Sequence, residues 1–195
     1  RWSPEEPYLY QAESQVCSGA QVLDTEKTHF GIRTLSLDPK HGLRINGKVT
    51  KLRGACVHHD NGVIGSAAID RAEERRVQIL KEAGFNAVRS AHYPISKSFL
   101  DACDRIGMLV MDEVSDMWTR CKNDSDFAHY FPHVWQEVCE RFVGKDFSHP
   151  SVILYSIGNE IPETGSANGA DIGRKIAEKL RSLDSTRYIL NSINT

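Results

Sequence analysis

The chain has 195 residues, 24 basic and 26 acidic, with a net charge near -2. That length is enough for a real hydrophobic core, and 40% hydrophobic with 26% charged residues is globular composition rather than disorder. Near-neutral charge argues against nucleic acid or an anionic membrane as the main partner, since both usually need a basic face. No apolar run reaches the ~20 residues of a membrane helix. The chain opens Arg1-Trp2-Ser3-Pro4 without Met, which suggests a fragment.

Tyr8-Leu9-Tyr10 and Phe30 to Leu35 are short β-rich runs separated by polar stretches. They are too few for a sheet domain of their own, so residues 1–40 are expected to be the remnant of a β-sandwich. Asn46-Gly47, between Leu43-Arg44-Ile45 and Val49 to Leu52, is a two-residue hairpin signal.

From residue 52 strands and helices alternate. Strands are expected at Leu52–Val57, Asn86–Arg89, Met108–Met111, Ser151–Ile157 and Tyr188–Leu190. A helix from Asp70 to Ala83 has Asp70 as its cap and Glu73 at the capping-box position. A helix from Ser96 to Ile106 buries Phe99, Leu100, Cys103 and Ile106 and stops at Gly107. Trp135, Val138, Cys139, Phe142 and Val143 mark a third helix, and Ile172, Ile176, Leu180 and Leu183 a fourth.

This alternation implies a parallel sheet covered by helices. An open doubly wound sheet and the first part of a (β/α)8 TIM barrel both satisfy it. Polar residues after every strand favour the barrel, whose site is assembled from the C-terminal ends of several strands. Five cysteines, widely spaced and without C-x-x-C, are expected to be reduced and mostly buried, which fits a reducing cytoplasm.

The residues with chemistry sit at these strand ends. Ser156 to Glu160 delivers a carboxylate beside an amide, Asn159 next to Glu160. Glycoside hydrolysis needs one carboxyl group as acid and another as base or nucleophile. A loop Glu after a core strand is the plain alternative. Arg89 could hold a carboxylate ionised, and His92 could bond a sugar hydroxyl; a structural ion pair and a core His are the alternatives. Arg53 is a possible second inward Arg. His58 and His59 point to opposite faces of a strand, so only His58 is expected at the pocket and no metal is expected. Asp112 and Glu113 must likewise diverge. Trp118 is either an aromatic sugar platform or a packing residue.

These stretches together resemble glycoside hydrolase family 2, the β-galactosidase and β-glucuronidase family. They are Pro7 to Tyr10, Phe30 to Arg33, Ile45 to Lys48, Leu52-Arg53-Gly54 with His58-His59-Asp60, Asn86 to Arg89 with His92-Tyr93-Pro94, Asp112-Glu113 with Asp116-Met117-Trp118, His149 to Ile153, and Ile157 to Glu160. The resemblance implies an immunoglobulin-like remnant over residues 1–40 and the N-terminal part of a catalytic barrel over 41–195. It implies a retaining β-glycosidase in which Glu160 is the general acid/base, with Asn159, His92, Arg89, His58, Asp112, Arg53 and Trp118 around a carbohydrate substrate. Asp116-Met117-Trp118 leans toward the β-galactosidases. Met117 and Thr119 stand where some β-galactosidases hold magnesium; both are poor magnesium ligands, so no cofactor is carried over. The family's nucleophile lies on the seventh strand, and the strand count here is five. The chain is therefore expected to be inactive alone, and its open barrel edges to promote self-association. A non-catalytic carbohydrate-binding or interaction module is the alternative.

Overall fold

The computed structural model describes residues 1–194. β1 (Tyr10–Ser18) and β2 (Gln21–Phe30) form an antiparallel pair whose residues are exposed except Phe30. This long pair differs from the short runs expected. β2 is mostly polar on both faces, and β1, although it alternates Tyr10, Ala12 and Val16 with Gln11, Glu13 and Gln15, buries neither face.

β3 (Leu35–Asp38), β4 (Gly42–Ile45) and β5 (Lys48–Val49) form a small antiparallel meander. The β4–β5 turn is the expected Asn46-Gly47, with both residues at positive φ, 52° and 82°. That is the backbone a type I′ hairpin turn requires.

The remaining elements alternate: β6 (Gly54–His58), α1 (Asp70–Glu82), β7 (Ala87–Ala91), α2 (Lys97–Ile106), β8 (Leu109–Glu113), α3 (Phe131–Asp146), β9 (Val152–Asn159), α4 (Ala167–Leu183) and β10 (Tyr188–Ser192). The five strands are parallel in the order β10-β9-β8-β7-β6. A doubly wound sheet reverses its strand order at a switch point. Here the order follows the chain without reversal, as in the consecutive strands of a barrel.

Local chemistry explains the helix ends. Ser96 caps α2 by accepting the Phe99 N–H at 3.2 Å, and Gly107 ends it in the left-handed conformation at φ 80°. Ser166 caps α4 through the Gly169 N–H at 3.1 Å. In α1 the expectation is corrected: Asp70 is the first helical residue, Ile69 precedes it, and no side chain caps the end. Glu73 does not form a capping box either. It is buried and accepts from Asn61 Nδ2 at 2.8 Å and from Arg76.

Strand alternation divides the core. Val57, Val88, Val110, Tyr155 and Ile157 face the helices and pack with Val77, Phe99, Leu100, Cys139, Phe142, Ile176 and Leu180. Ala87, Leu109 and Leu154 belong to a second cluster with Trp2 and Ile45, against which Leu35, Leu43 and Met111 pack. The N-terminal segment and the meander thus cover part of the sheet's apolar inner face. Trp2 is fully buried, and its indole donates to the Asp104 carbonyl at 2.9 Å. Arg33 Nε donates to the Pro150 carbonyl at 2.5 Å, and Asn46 Nδ2 to that of Trp2 at 2.9 Å.

All five cysteines are free thiols, but only Cys103 and Cys139 are buried. Cys17, Cys56 and Cys121 are exposed, correcting the expectation of mostly buried thiols. Cys17 lies on the exposed β1, and Cys56 on the inner face of β6, where the sheet is open. Among the described residues no helix is long and apolar enough to cross a membrane.

Candidate active site

Adjacent parallel strands bring the end of β8 between those of β7 and β9. Glu113, the last residue of β8, is fully buried and collects donors from both neighbours. Arg89 Nη2 and Nε donate to its Oε2 at 2.6 and 3.2 Å. Ser156 Oγ donates to the same oxygen at 2.5 Å, and His92 Nδ1 lies 2.9 Å from Oε1. An ionised carboxylate only accepts; three donors converge on Oε2, and His92 Nδ1 stands at Oε1. Such a buried charge is tolerable because it is paired and fully hydrogen-bonded.

Arg89 Nη2 reaches further and donates to Asn159 Oδ1 at 2.9 Å. The Asn159 amide nitrogen donates to Asp116 Oδ1, also at 2.9 Å. The amide is therefore oriented from both ends and keeps one N–H to offer. The His58 ring sits edge-to-face on His92, with centroids 5.4 Å apart. Glu160 follows β9 directly, is exposed, and has a left-handed φ of 46°. Its carboxylate makes no hydrogen bond among the described residues.

Arg89, His92, His58, Asn159 and Glu160 are thus brought to one end of the sheet. Three other expected residues are not. Asp112 is fully buried on the helix side, where strand alternation puts it with Val110. Its Oδ1 accepts the N–H groups of Ile95 and Glu113, each at 3.0 Å, and its Oδ2 accepts Lys145 Nζ at 2.9 Å. Arg53 is exposed just before β6, at the opposite end of that strand from His58. Trp118 is 1% exposed, donates its indole N–H to the Ile157 carbonyl at 2.8 Å, and packs on Gly173 of α4. It is a core residue, not an open platform.

Sequence reasoning missed Glu113 as the centre of this network and Lys122 at its edge. Alternation could have identified Glu113, because Arg89 and Glu113 share the inner face once the strands are aligned. Lys122 carried no signal; it lies in a long polar connection without periodicity.

Other carboxylates near the mouth are committed elsewhere. Asp116 pairs with Lys122 Nζ at 2.6 Å. Glu163 is buried, and its Oε1 accepts the N–H groups of Thr119 and Arg120 at 2.9 and 2.8 Å. Asp101, Asp104 and His149 could present ligand atoms to a cation. Two of them already bond each other: His149 Nδ1 lies 2.6 Å from Asp104 Oδ2. Asp104 also accepts the Ser151 N–H at 3.0 Å, so the cluster ties α2 to the start of β9.

Residues 39–192 match the family described as "Glycosyl hydrolases family 2, TIM barrel domain", and residues 1–33 match "Glycosyl hydrolases family 2". A β-galactosidase of Bacteroides ovatus, BoGH2A, is 42% identical over 190 residues, covering 97% of this chain and 21% of that protein. A putative β-glucuronidase of Formosa agariphila is 35% identical, over 95% of this chain and 17% of its own length. Among solved structures, a glycosyl hydrolase family 2 member from Bacteroides cellulosilyticus superposes with a TM-score of 0.96 at 45% identity, covering 100% of this chain and 25% of that one. The chain spans about a fifth of the length of these curated relatives.

Behind the sheet, Lys145 sits between Asp112 and Asp146. Burial, then the neighbouring Asp112 carboxylate, pushes the Asp146 carboxyl well above its ordinary 3.8. Burial opposes the Lys145 ammonium, but Asp112 and Asp146 raise it overall. A carboxyl whose pKa is raised by folding holds a proton that the unfolded chain releases. Its contribution to stability is therefore lost as pH rises from the ordinary value toward the folded one. Asp146→Asn replaces that proton with a permanent N–H. Urea unfolding at pH 5 and pH 8 is expected to show the variant losing less stability over this interval than the wild type. Parallel losses in the two proteins would contradict the assignment.

Proposed function

The chain belongs to glycosyl hydrolases family 2, and we propose that it is the acid/base-bearing part of a retaining β-glycosidase acting on β-galactosides or related sugars. The supporting observation is the continuous network Glu113–Arg89–Asn159, which ends beside Glu160, a carboxylate with no partner of its own among the described residues. In the proposed reaction Glu160 protonates the departing glycosidic oxygen and then, as a carboxylate, takes a proton from the water that releases the sugar. Asn159 offers its remaining N–H to a sugar hydroxyl. His92 and His58 stand at the same end of the sheet, ring against ring, with His92 held by Glu113.

A retaining site needs a second carboxyl group about 5 to 5.5 Å from the first. Glu113, Asp116 and Glu163 each hold protein donors, and the remaining Glu163 oxygen, Oε2, is unpartnered among the described residues but buried, so none of the three offers an open carboxylate for that role. On this reading the nucleophile belongs to the remainder of the whole protein. Residues 1–40 are, on the same reading, the tail of an immunoglobulin-like domain. The extended, solvent-exposed β1–β2 pair favours this, being suited to continue a larger sheet.

In the whole protein, Glu160→Gln is expected to lower kcat/KM for aryl β-glycosides with poor leaving groups by about 100- to 10,000-fold. Unchanged turnover would contradict the acid/base role. The 195-residue chain alone is expected to hydrolyse none of them; turnover by it that Glu160→Gln abolishes would show a nucleophile among the residues considered committed.

The sheet leaves β6 and β10 as edges among the described residues. Between them the inner face holds an apolar trough of about 220 Å³ lined by Gly54, Cys56, Ala87, Leu109, Met111 and Leu154. Open edges with apolar surface recruit further strands, and the occupant expected for the isolated chain is a second copy. Light scattering at high concentration should show dimers or larger species; a clean monomer would contradict this.

A further inference from the structure

We propose that Lys122 is a positioning residue for Glu160, an inference that rests on the acid/base role given to Glu160 above. Lys122 lies in the connection between β8 and α3, far in sequence from β9. Its ammonium donates to the Asn159 carbonyl at 2.6 Å and to Asp116 Oδ1 at 2.6 Å. The same Asp116 oxygen accepts the Asn159 side-chain amide at 2.9 Å. Lys122 therefore grips the backbone of Asn159 directly and its side chain through Asp116.

The Asn159 carbonyl belongs to the peptide unit that leads into Glu160. The other end of that unit is also held, since the Glu160 N–H donates to the Ser192 carbonyl of β10 at 2.7 Å. With both ends fixed, the peptide plane cannot rotate, and the direction in which Glu160 leaves the backbone is set. The left-handed φ of 46° shows why this matters. A Glu in that region is strained and persists only where its surroundings over-determine it.

Lys122 is itself anchored. Its backbone N–H and that of Asn123 donate to Asp126 Oδ2 at 2.6 and 3.0 Å. The other Asp126 oxygen caps the short 3-10 turn Phe127–His129 through the Ala128 N–H. An exposed ion pair alone is worth little. The Lys122–Asp116 pair differs because both side chains are only 21% exposed and the ammonium also makes a charge-assisted bond to a backbone carbonyl.

A misplaced acid slows only reactions that need protonation of the leaving group. In the whole protein, Lys122→Met is expected to lower kcat/KM for a phenyl β-glycoside by about 10- to 100-fold. For the 2,4-dinitrophenyl β-glycoside of the same sugar, which departs without protonation, the loss should stay below about 3-fold. Retained activity on the activated substrate also reports that the variant is folded. Equal losses on both substrates, or none on either, would overturn the proposal. Glu160→Gln, assayed alongside, separates the two levels of the argument. If it shows the leaving-group dependence and Lys122→Met does not, only the positioning role fails. If Glu160→Gln lacks it, the acid/base assignment fails and takes the inference with it.

Discussion

A single buried carboxylate organises the polar end of this sheet. Glu113 has no access to solvent, and its charge is sustained by Arg89, His92 and Ser156. Removing one member of a buried ion pair leaves an uncompensated charge, which costs far more than the net worth of the pair. The three strand ends are therefore coupled: β7 supplies Arg89, the turn after it supplies His92, and β9 supplies Ser156 and Asn159. The position of Glu160 follows from theirs, because Arg89 holds Glu113 with one hand and Asn159 with the other.

The sheet that carries this cluster is apolar on both faces, packed fully on the helix side and partly on the inner side. On the helix side Val110, Tyr155 and Ile157 pack against all four helices. On the inner side Trp2, Leu35, Leu43 and Ile45 cover the lower half of the strands. The polar residues are thereby confined to the C-terminal strand ends. Beneath Glu113, Asp112 repeats the device in the opposite direction. It accepts the Ile95 N–H, just beyond the turn that carries His92, and pairs with Lys145 of α3. Consecutive residues of one strand thus serve the inner network and the helix packing separately.

The barrel-like architecture was legible because five apolar runs alternate with four amphipathic helices. Glu160, Asn159, Arg89, His92 and His58 were legible because each closes or follows such a run. The failures have physical causes. Asp112 and Glu113 are both carboxylates at a strand end, and only pairing with β7 and β9 decides which one faces inward. Trp118 reads as a loop aromatic, yet a close approach to Gly173 turns it into the core. Arg53 stands at the wrong end of its strand, which a boundary shifted from Leu52 to Gly54 makes visible. β1 alternates Tyr10, Ala12 and Val16 with polar residues but β2 is mostly polar, and neither strand buries a face here. Lys122 acts through a backbone carbonyl, a contact that no residue pattern encodes.

The dependence of the site on Glu113 is open to a double-mutant cycle with Arg89→Met and Glu113→Gln, read as unfolding free energies in urea. A shared buried pair predicts strong non-additivity, with a coupling energy of about 1.5 kcal/mol or more. Losses that add to within about 0.5 kcal/mol would show that the two residues act independently, and the account of the site as one charge-coupled unit would be wrong.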